Sequence, residues 1–166
     1  DRAALNLSHV KSSDLTRGTV LATPDCLQPS NRILANISMT NSTDWIIKNK
    51  QRLRFHIGTS EILGRVSGKK LEKGQSGNVI IDLESPVAVA MDDRFVVRSY
   101  SPMDTIAGGL VIDPKPVGKW SVLRHRTDSL PIDPKERFGY LIDEDWKTPK
   151  SREKWQMLFF ISKEIL

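Results

Sequence analysis

The residues of this chain best suited to chemistry are cations that could bind phosphate groups. Positions 48 to 73 hold eight basic residues and two acidic ones, a local charge of +6 in a chain of 166 residues with a net charge of +5. Such a concentrated patch is typical of a polyanion partner, although a solvated face without a partner has the same composition. The basic residues are Lys48, Lys50, Arg52, Arg54, Arg65, Lys69, Lys70 and Lys73.

Residue types that support catalysis do not form a recognisable motif. No glycine-rich phosphate loop and no serine nucleophile elbow occurs in the sequence. His9, His56 and His125 are far apart, and with the single cysteine, Cys26, they argue against a zinc site. No apolar run approaches the roughly 18 residues of a membrane-spanning helix. We therefore expect no catalytic residue, no metal site and no membrane partner in this chain.

Short strands are predicted to position the cations. Between residues 31 and 113, apolar and polar residues alternate in short runs separated by turn residues, without a helical period. Short strands separated at regular intervals by turn residues are typical of an antiparallel β-barrel or β-sandwich. The predicted fold class is therefore mainly β.

The run RLRFHI at residues 52–57 shows how the strands would arrange the basic residues. Its apolar side chains are predicted to face inward, which directs Arg52, Arg54 and His56 to the surface. A hairpin through the following Gly58–Thr59 turn would bring the next cations into the same neighbourhood, namely Arg65, Lys69 and Lys70. Because few aromatic residues lie among them, we expect contacts to a nucleic-acid duplex by shape and backbone, and no stacking on single-stranded bases.

The N-terminal part of the chain is predicted to belong to another unit. Ala3–Leu7 and Gly18–Ala22 are predicted as the two strands of a short hairpin, and a polar, proline-containing linker follows. A lone hairpin is too small to hold a core. Residues 1–28 are therefore interpreted as the end of a preceding domain and its linker.

The C-terminal part changes character after the last strand. Residues 115–134 are predicted to be a basic, proline-rich linker, and residues 135–166 a helical segment. Within it we expect a short helix at Arg137–Asp145 and a second helix capped by Thr148, with Pro149 at its first position. Apolar residues at spacings of three and four from Trp155 onward predict that the second helix has one buried face.

Three stretches of the sequence resemble the selenocysteine-specific translation elongation factors (the SelB family). They are "RGTVLATP", "RLRFHIGTSEILGRV" and "RFVVRSYSPMDTIAGGLVIDP". The third is also similar to the third domain of elongation factor Tu and its relatives, in which an Arg-Phe-x-x-Arg strand, a loop and a Thr-x-Gly/Ala-x-Gly strand follow one another. The matching residues are Arg94, Phe95, Arg98, Thr105 and Gly109. The selenocysteine branch more often has three glycines here, and Ala107 takes one of those places.

The resemblance implies a fold and a modular layout. Residues 29–114 would form a closed antiparallel Greek-key β-barrel of the translation-factor third-domain type. Residues 1–28 would end the second barrel, and residues 135–166 would begin a winged-helix-like region. GTP and Mg would bind to a GTPase domain outside this chain, so the chain itself is expected to be no enzyme and to hold no cofactor. In a small barrel, Gly108 and Gly109 would permit the close strand approach that closure needs.

The resemblance also implies partners and contacts. The partners would be selenocysteinyl-tRNA, the ribosome and, through a C-terminal region, a hairpin of selenoprotein mRNA, all in the cytoplasm. Family contacts carry over to Gln51, Arg52, Ser85 and Tyr100, although relatives often have a charged residue where Ser85 stands. With the predicted cationic surface, the candidate RNA-binding set is Gln51, Arg52, Arg54, His56, Arg65, Lys69, Lys70, Ser85, Arg98 and Tyr100. A structural spacer, or the barrel of another translation GTPase, remains the alternative.

Overall fold

Six strands form the centre of the protein, whose computed structural model describes residues 6–24 and 26–159. They are β1 (Ser30–Met39), β2 (Arg52–Ile57), β3 (Ser60–Gly68), β4 (Ser76–Val87), β5 (Arg94–Arg98) and β6 (Thr105–Asp113). The strand order is β1-β4-β3-β2-β5-β6, every pairing is antiparallel, and β6 returns to β1. Because β2, β3 and β4 are successive hairpin strands and β1 lies beside β4, the topology is a Greek key. The predicted closed Greek-key barrel is confirmed.

Inward-facing apolar side chains from all six strands fill the barrel. Ile33, Phe55, Ile81 and Val111 are completely buried in this core. The rings of Phe55 and Phe95 meet edge to face, with centroids 6.0 Å apart. Each fully buried side chain of this size stabilises the fold by about 1.5–3 kcal/mol. The result is a rigid cylinder from which the outward side chains project.

The two adjacent glycines of β6 have different surroundings. Gly109 lies opposite Phe95 on β5, and a Cβ atom added there would lie 2.1 Å from Cζ of the Phe95 ring. A Cβ atom added to Gly108 would meet nothing closer than the Phe95 carbonyl oxygen, at 4.0 Å. Gly109 is therefore required for the close packing of the barrel, as predicted, whereas no steric contact requires Gly108.

Three helices follow the barrel, α1 (Trp120–Ser129), α2 (Pro134–Glu144) and α3 (Arg152–Phe159). They bury a second apolar cluster against the outside of the barrel. Its members are Leu34, Ile80, Met91, Ile112, Leu123, Leu130, Leu141 and Trp155. The predicted alternation of β1 is therefore incomplete, because Leu34 on its outward face is fully buried beneath this cluster.

Helix α1 lies where the sequence predicted a linker over residues 115–134, and that prediction is wrong in this respect. The prolines at positions 116 and 131 bound a segment without proline, which is free to form a helix. Only one apolar side chain of α1 is fully buried, Leu123, so its helical period is weak in the sequence. The barrel surface supplies the burial that stabilises the helix.

Two buried arginines tie the helices to the barrel. Arg126 of α1 donates from Nη1 to Asp113 of β6 at 2.6 Å and from Nη2 to Glu144 of α2 at 2.7 Å. Arg137 of α2 donates to both carboxylate oxygens of Asp92, in the turn before β5, at 2.6 and 2.7 Å. Each contact joins groups that are distant in sequence, so the barrel and the helices share one set of buried ionic contacts.

The ends of the helices differ by a few residues from the prediction. Helix α2 begins at Pro134, and its N-cap Asp133 accepts hydrogen bonds from two backbone amides of the first turn. Helix α3 begins at Arg152, where Ser151 Oγ accepts from the backbone of Lys154 at 3.3 Å, so the predicted cap at Thr148 is wrong. Trp155 is buried as expected, and the predicted apolar residues beyond position 159 lie outside the described residues.

The predicted N-terminal hairpin is not present in the part of the chain that the structure describes. Gly18–Ala22 is not a strand, and the first three residues of the predicted partner, Ala3–Leu7, lie outside the described residues. The segment contains a short 3-10 helix at Ser12–Asp14, and Arg17 Nε donates to the Thr59 carbonyl oxygen at 2.9 Å. An isolated two-stranded ribbon has little burial to stabilise it.

Candidate nucleic-acid interface

Strand register brings four arginines together on the outside of the barrel. Arg52 of β2 lies opposite Arg65 of β3, and Arg54 of β2 lies opposite Arg98 of β5. Directly opposed residues of antiparallel strands have Cβ atoms about 4.5–5.5 Å apart. We call this cluster, Arg52, Arg54, Arg65 and Arg98, the arginine face. The sequence predicted its first three members as neighbours, and Arg98 joins them through the β2–β5 pairing.

Two glutamates neutralise half of the arginine face. Arg52 makes a two-pronged ion pair with Glu84 of β4, with Nε–Oε1 and Nη2–Oε2 distances of 2.6 and 2.8 Å. Arg54 pairs with Glu61 of β3. Hydrogen bonds from the arginines hold the pKa of each glutamate below its usual value, and the bond to Glu84 raises the pKa of Arg52 further. Both glutamates are therefore ionised at neutral pH.

The other two arginines form no ion pair among the described residues, although Asp82, which binds Arg32, lies opposite Arg65 in the β3–β4 register. Arg65 Nη1 donates to the Lys50 carbonyl oxygen at 3.3 Å, and Arg98 Nε donates to Thr105 Oγ1 at 3.3 Å. Four arginines against two glutamates leave the arginine face with a charge of +2. Its unpaired guanidinium groups can offer the planar pairs of N–H donors that match phosphate oxygens.

Tyr100 covers the edge of the arginine face. Its ring is half exposed, and its centroid lies 5.1 Å from Cζ of Arg52 and 6.0 Å from Cζ of Arg54. Cation–π contacts at these distances hold guanidinium groups in place without neutralising their charge. The predicted site residues Arg52, Arg54, Arg65, Arg98 and Tyr100 are therefore brought together by the structure.

Gln51 directly precedes β2 and His56 lies on it, and each interacts with residues close to it. Gln51 Oε1 accepts from the Lys48 backbone amide at 2.7 Å, which fixes the turn that leads into the strand. His56 lies opposite Glu61, with 4.0 Å between Nδ1 and Oε2. Its Nε2 atom is buried and has no partner among the described residues. Both residues therefore border the arginine face.

The structure shows no contact of Lys69, Lys70 or Ser85 with the four arginines among the described residues. Lys69 follows the end of β3 and pairs with Asp128 of α1, with Nζ and Oδ1 2.6 Å apart, and Lys70 pairs with Glu72. Lys69 is therefore engaged with α1, and it is linked to Arg65 through Lys50, which contacts Arg65 and lines the same groove as Lys69. Ser85 is exposed in a stretch of β4 where the register with β1 shifts.

Two further cations lie beside the arginine face, Arg32 and Lys50, and neither belongs to the RNA-binding set that was predicted from the sequence. Arg32 of β1 pairs with Asp82 at 2.6 Å, and its Cζ lies 5.3 Å from the centroid of the Trp120 ring. Lys50 Nζ lies 5.0 Å from the same centroid. Trp120 was assigned to a linker in the sequence, and only the docking of α1 brings it to these residues.

Other kinds of site are not found in the described part of the chain. No group of three His, Cys, Asp or Glu side chains there could hold a metal ion. No helix among residues 6–24 and 26–159 is long and apolar enough to cross a membrane. The arrangement of cations is thus the feature of this surface that could bind a partner by charge.

Comparison with known proteins identifies the family. Residues 32–117 match the family model described as "Selenocysteine-specific elongation factor, beta-barrel domain". The chain is also 34% identical over 131 residues to the "Selenocysteine-specific elongation factor" of Desulfomicrobium baculatum. That match covers 77% of this chain and 20% of the relative, so the chain spans about a fifth of the relative's length. The resemblance seen in the sequence is confirmed, and the chain belongs to the selenocysteine-specific elongation factor family, of which it contains the β-barrel domain.

Proposed function

We propose that this chain is a tRNA-binding part of a selenocysteine-specific elongation factor, which delivers selenocysteinyl-tRNA to the ribosome at recoded UGA codons. The arginine face would contact the sugar-phosphate backbone of the tRNA. Family membership supports the general role, and the clustering of Arg52, Arg54, Arg65 and Arg98 by strand register is the observation that carries the proposal.

The chemistry of the arginine face suits a duplex backbone. Guanidinium groups bind phosphates with two parallel hydrogen bonds, and such contacts position a nucleic acid without reading its sequence. Tyr100 contacts two of the arginines with its ring and is half exposed. A single aromatic residue is too little for a stacking platform along a single strand. A stem of the tRNA is therefore the favoured ligand.

The remaining parts of the function would lie elsewhere in the parent protein. GTP and Mg would bind in a GTPase domain, and the selenoprotein mRNA hairpin would bind through a C-terminal region. The parent factor would act in the cytoplasm, at the ribosome. The matched region is the family's β-barrel domain, and we propose that it needs no cofactor for its contacts with tRNA.

Neutralising the two unpaired arginines tests the proposal directly. Arg65→Ala and Arg98→Ala together are expected to weaken selenocysteinyl-tRNA binding about tenfold and to lower its salt slope by about two, one for each lost phosphate contact. Filter binding over a range of salt concentrations measures both values. Lys135→Ala, an exposed lysine of α2 away from the arginine face, is the matched control. The proposal would be contradicted if the affinity for tRNA did not depend on salt concentration, or if the double variant bound tRNA as tightly as the control does.

Removing Glu84 is expected to have the opposite effect. In Glu84→Gln the Arg52 guanidinium loses its competing carboxylate, and the effect should be modest because exposed ion pairs are weak. We expect tRNA affinity to rise about 1.5- to 5-fold in the same filter assay. Glu72→Gln, which releases Lys70 instead, serves as the control and should have a smaller effect. A loss of affinity in Glu84→Gln would contradict this prediction and would mean that Glu84 positions Arg52 more than it competes with RNA for it.

A structural spacer is the second candidate function, and the buried ion pairs between barrel and helices favour it. A spacer would fix the orientation of the domains on either side without touching RNA. Charge reversal of Arg52 and Arg54 in the full-length factor separates the two functions. Unchanged selenocysteine insertion by that variant would support the spacer, and lost insertion would support tRNA contact.

A further inference from the structure

A groove runs between the barrel and α1, away from the arginine face. It has a volume of about 860 Å³ and is bordered by the end of β3, the start of β4 and one side of α1. We call it the α1 groove. The residues of its lining that matter here are Lys50, Ser67, Lys69, Lys70, Trp120 and Arg124.

The α1 groove is strongly cationic. Its lining contains four basic side chains and one acidic side chain, Asp128, and Glu72 outside the lining pairs with Lys70, which leaves a charge of +2. Asp128 is bound to Lys69, and the hydrogen bond from Lys69 holds the pKa of this carboxyl below its usual value. Arg124 is exposed, and like Lys50 it has no acidic partner among the described residues. The groove therefore presents positive charge that no carboxylate of the described chain neutralises.

A buried hydroxyl group in the lining lacks a hydrogen-bond partner. Ser67 is only 4% exposed, and its Oγ atom has no partner among the described residues. A buried hydroxyl without a partner costs free energy, and such groups in native proteins call for an explanation. Because Oγ has almost no accessible surface, the Ser67 side chain would have to turn toward the groove before an oxygen of a bound anion there could accept its hydrogen bond.

Lys50 connects the α1 groove to the arginine face. Its carbonyl oxygen accepts the hydrogen bond from Arg65, and its ammonium group lies over the ring of Trp120 in the groove. Lys50 is thus the residue that links the arginine face to the α1 groove. A nucleic-acid strand carries a charge about every 3.4 Å along its axis, so an extended row of cations matches an extended backbone.

From this arrangement we infer that the α1 groove binds the phosphodiester backbone of a second segment of RNA, with Lys69 and Arg124 neutralising phosphates and Ser67 Oγ donating to a phosphate oxygen. The inference rests on the proposed function, because it extends that RNA surface. A backbone is favoured over an acidic peptide because the groove is linked to a cluster of guanidinium groups, which suits phosphates. The matched family model ends at residue 117, so α1 lies outside the matched barrel domain.

Binding of a short RNA duplex to the 166-residue chain tests this inference. Arg124→Glu is expected to weaken binding about tenfold and to lower the salt slope by at least about one. Ser67→Ala should weaken binding about threefold without lowering thermal stability, because the hydroxyl has no partner to lose. Lys135→Glu, which makes the same charge change as Arg124→Glu on α2, is the control and should change binding less than twofold. The inference is overturned if Arg124→Glu behaves like this control.

A spectroscopic readout separates the ligand classes. The indole N–H resonance of Trp120, assigned with Trp120→Phe, should move when the duplex is added and should move less in Arg124→Glu. A shift caused by polyglutamate but not by RNA would assign the groove to an acidic protein segment and overturn the inference. A shift caused by inorganic phosphate with no response to RNA would reduce the groove to a single-anion site and would also overturn it.

The failure of this inference can be told apart from failure of the proposed function. Arg65→Ala with Arg98→Ala is measured on the same duplex. If only that variant loses affinity, the arginine face stands and the α1 groove does not. If only Arg124→Glu loses affinity, the groove stands and the arginine face fails. Losses of affinity in both variants, each relative to its control, would support both surfaces.

Discussion

Replacing Arg137 with alanine is expected to lower the free energy of unfolding by about 3 kcal/mol and the melting temperature by about 6–12 °C. The Arg137 side chain is fully buried, and it binds both carboxylate oxygens of Asp92 and the carbonyl oxygen of Ile132, at 2.8 Å. Its removal would strip both groups of their donors and leave a void. This loss of stability is at the lower end of the range for breaking a buried ion pair. The reason is that the Asp92 side chain is 40% exposed, so water can partly replace the arginine as its partner.

Chemical denaturation followed by far-ultraviolet circular dichroism and by tryptophan fluorescence measures this effect. Because Asp92 is also tied to β6, through its amide and the Val111 carbonyl oxygen at 2.8 Å, we expect the helices to loosen from the barrel first. Trp155 of the second core should then report an earlier transition than the barrel strands. Lys135→Ala in the same helix is the control and should change stability by no more than about 0.5 kcal/mol. If Arg137→Ala lowered the free energy of unfolding no more than Lys135→Ala does, the pair of Arg137 with Asp92 would not be what holds the helices to the barrel.

Replacing Gly109 with valine is expected to cost about 3 kcal/mol or more, at the upper end for overpacked cores. The first carbon of the new side chain would lie 2.1 and 2.4 Å from two atoms of the Phe95 ring. Phe95 cannot move away freely, because its ring also packs against Phe55 in the closed barrel. The strain would therefore spread through β5 and β6. Thermal and urea denaturation of the purified chain measure the loss.

The neighbouring glycine gives a matched control for this prediction. Gly108→Ala adds a methyl group whose nearest contact is 4.0 Å away, and it also restricts the unfolded chain. It should leave stability within about 1 kcal/mol of the parent or raise it slightly. Restoring space with Phe95→Leu in the Gly109→Val background should recover part of the lost stability. Equal costs for both glycine substitutions would contradict steric crowding by Phe95.

Local sequence was a good guide to the strands and a poor guide to the charge of the surface. The window from residue 48 to 73 counts +6 because most of the acids that pair with it lie outside it. Glu84 reaches Arg52, Asp128 reaches Lys69 and Asp44 reaches Lys73. No local count contains these partners, since strand pairing and helix docking bring them from elsewhere in the chain.

The sequence by itself determined the β-barrel, its family and the outward direction of Arg52 and Arg54. A strand's two-residue alternation and its turn residues are local properties, so they can be recognised without knowing what the strand pairs with. The tertiary structure decided which arginines keep an unpaired charge, that α1 forms within a proline-rich segment, and that Trp120 and Arg124 border a groove with Lys69. These features depend on contacts between residues far apart in the chain, and only the closed barrel and the docked helices bring those residues together.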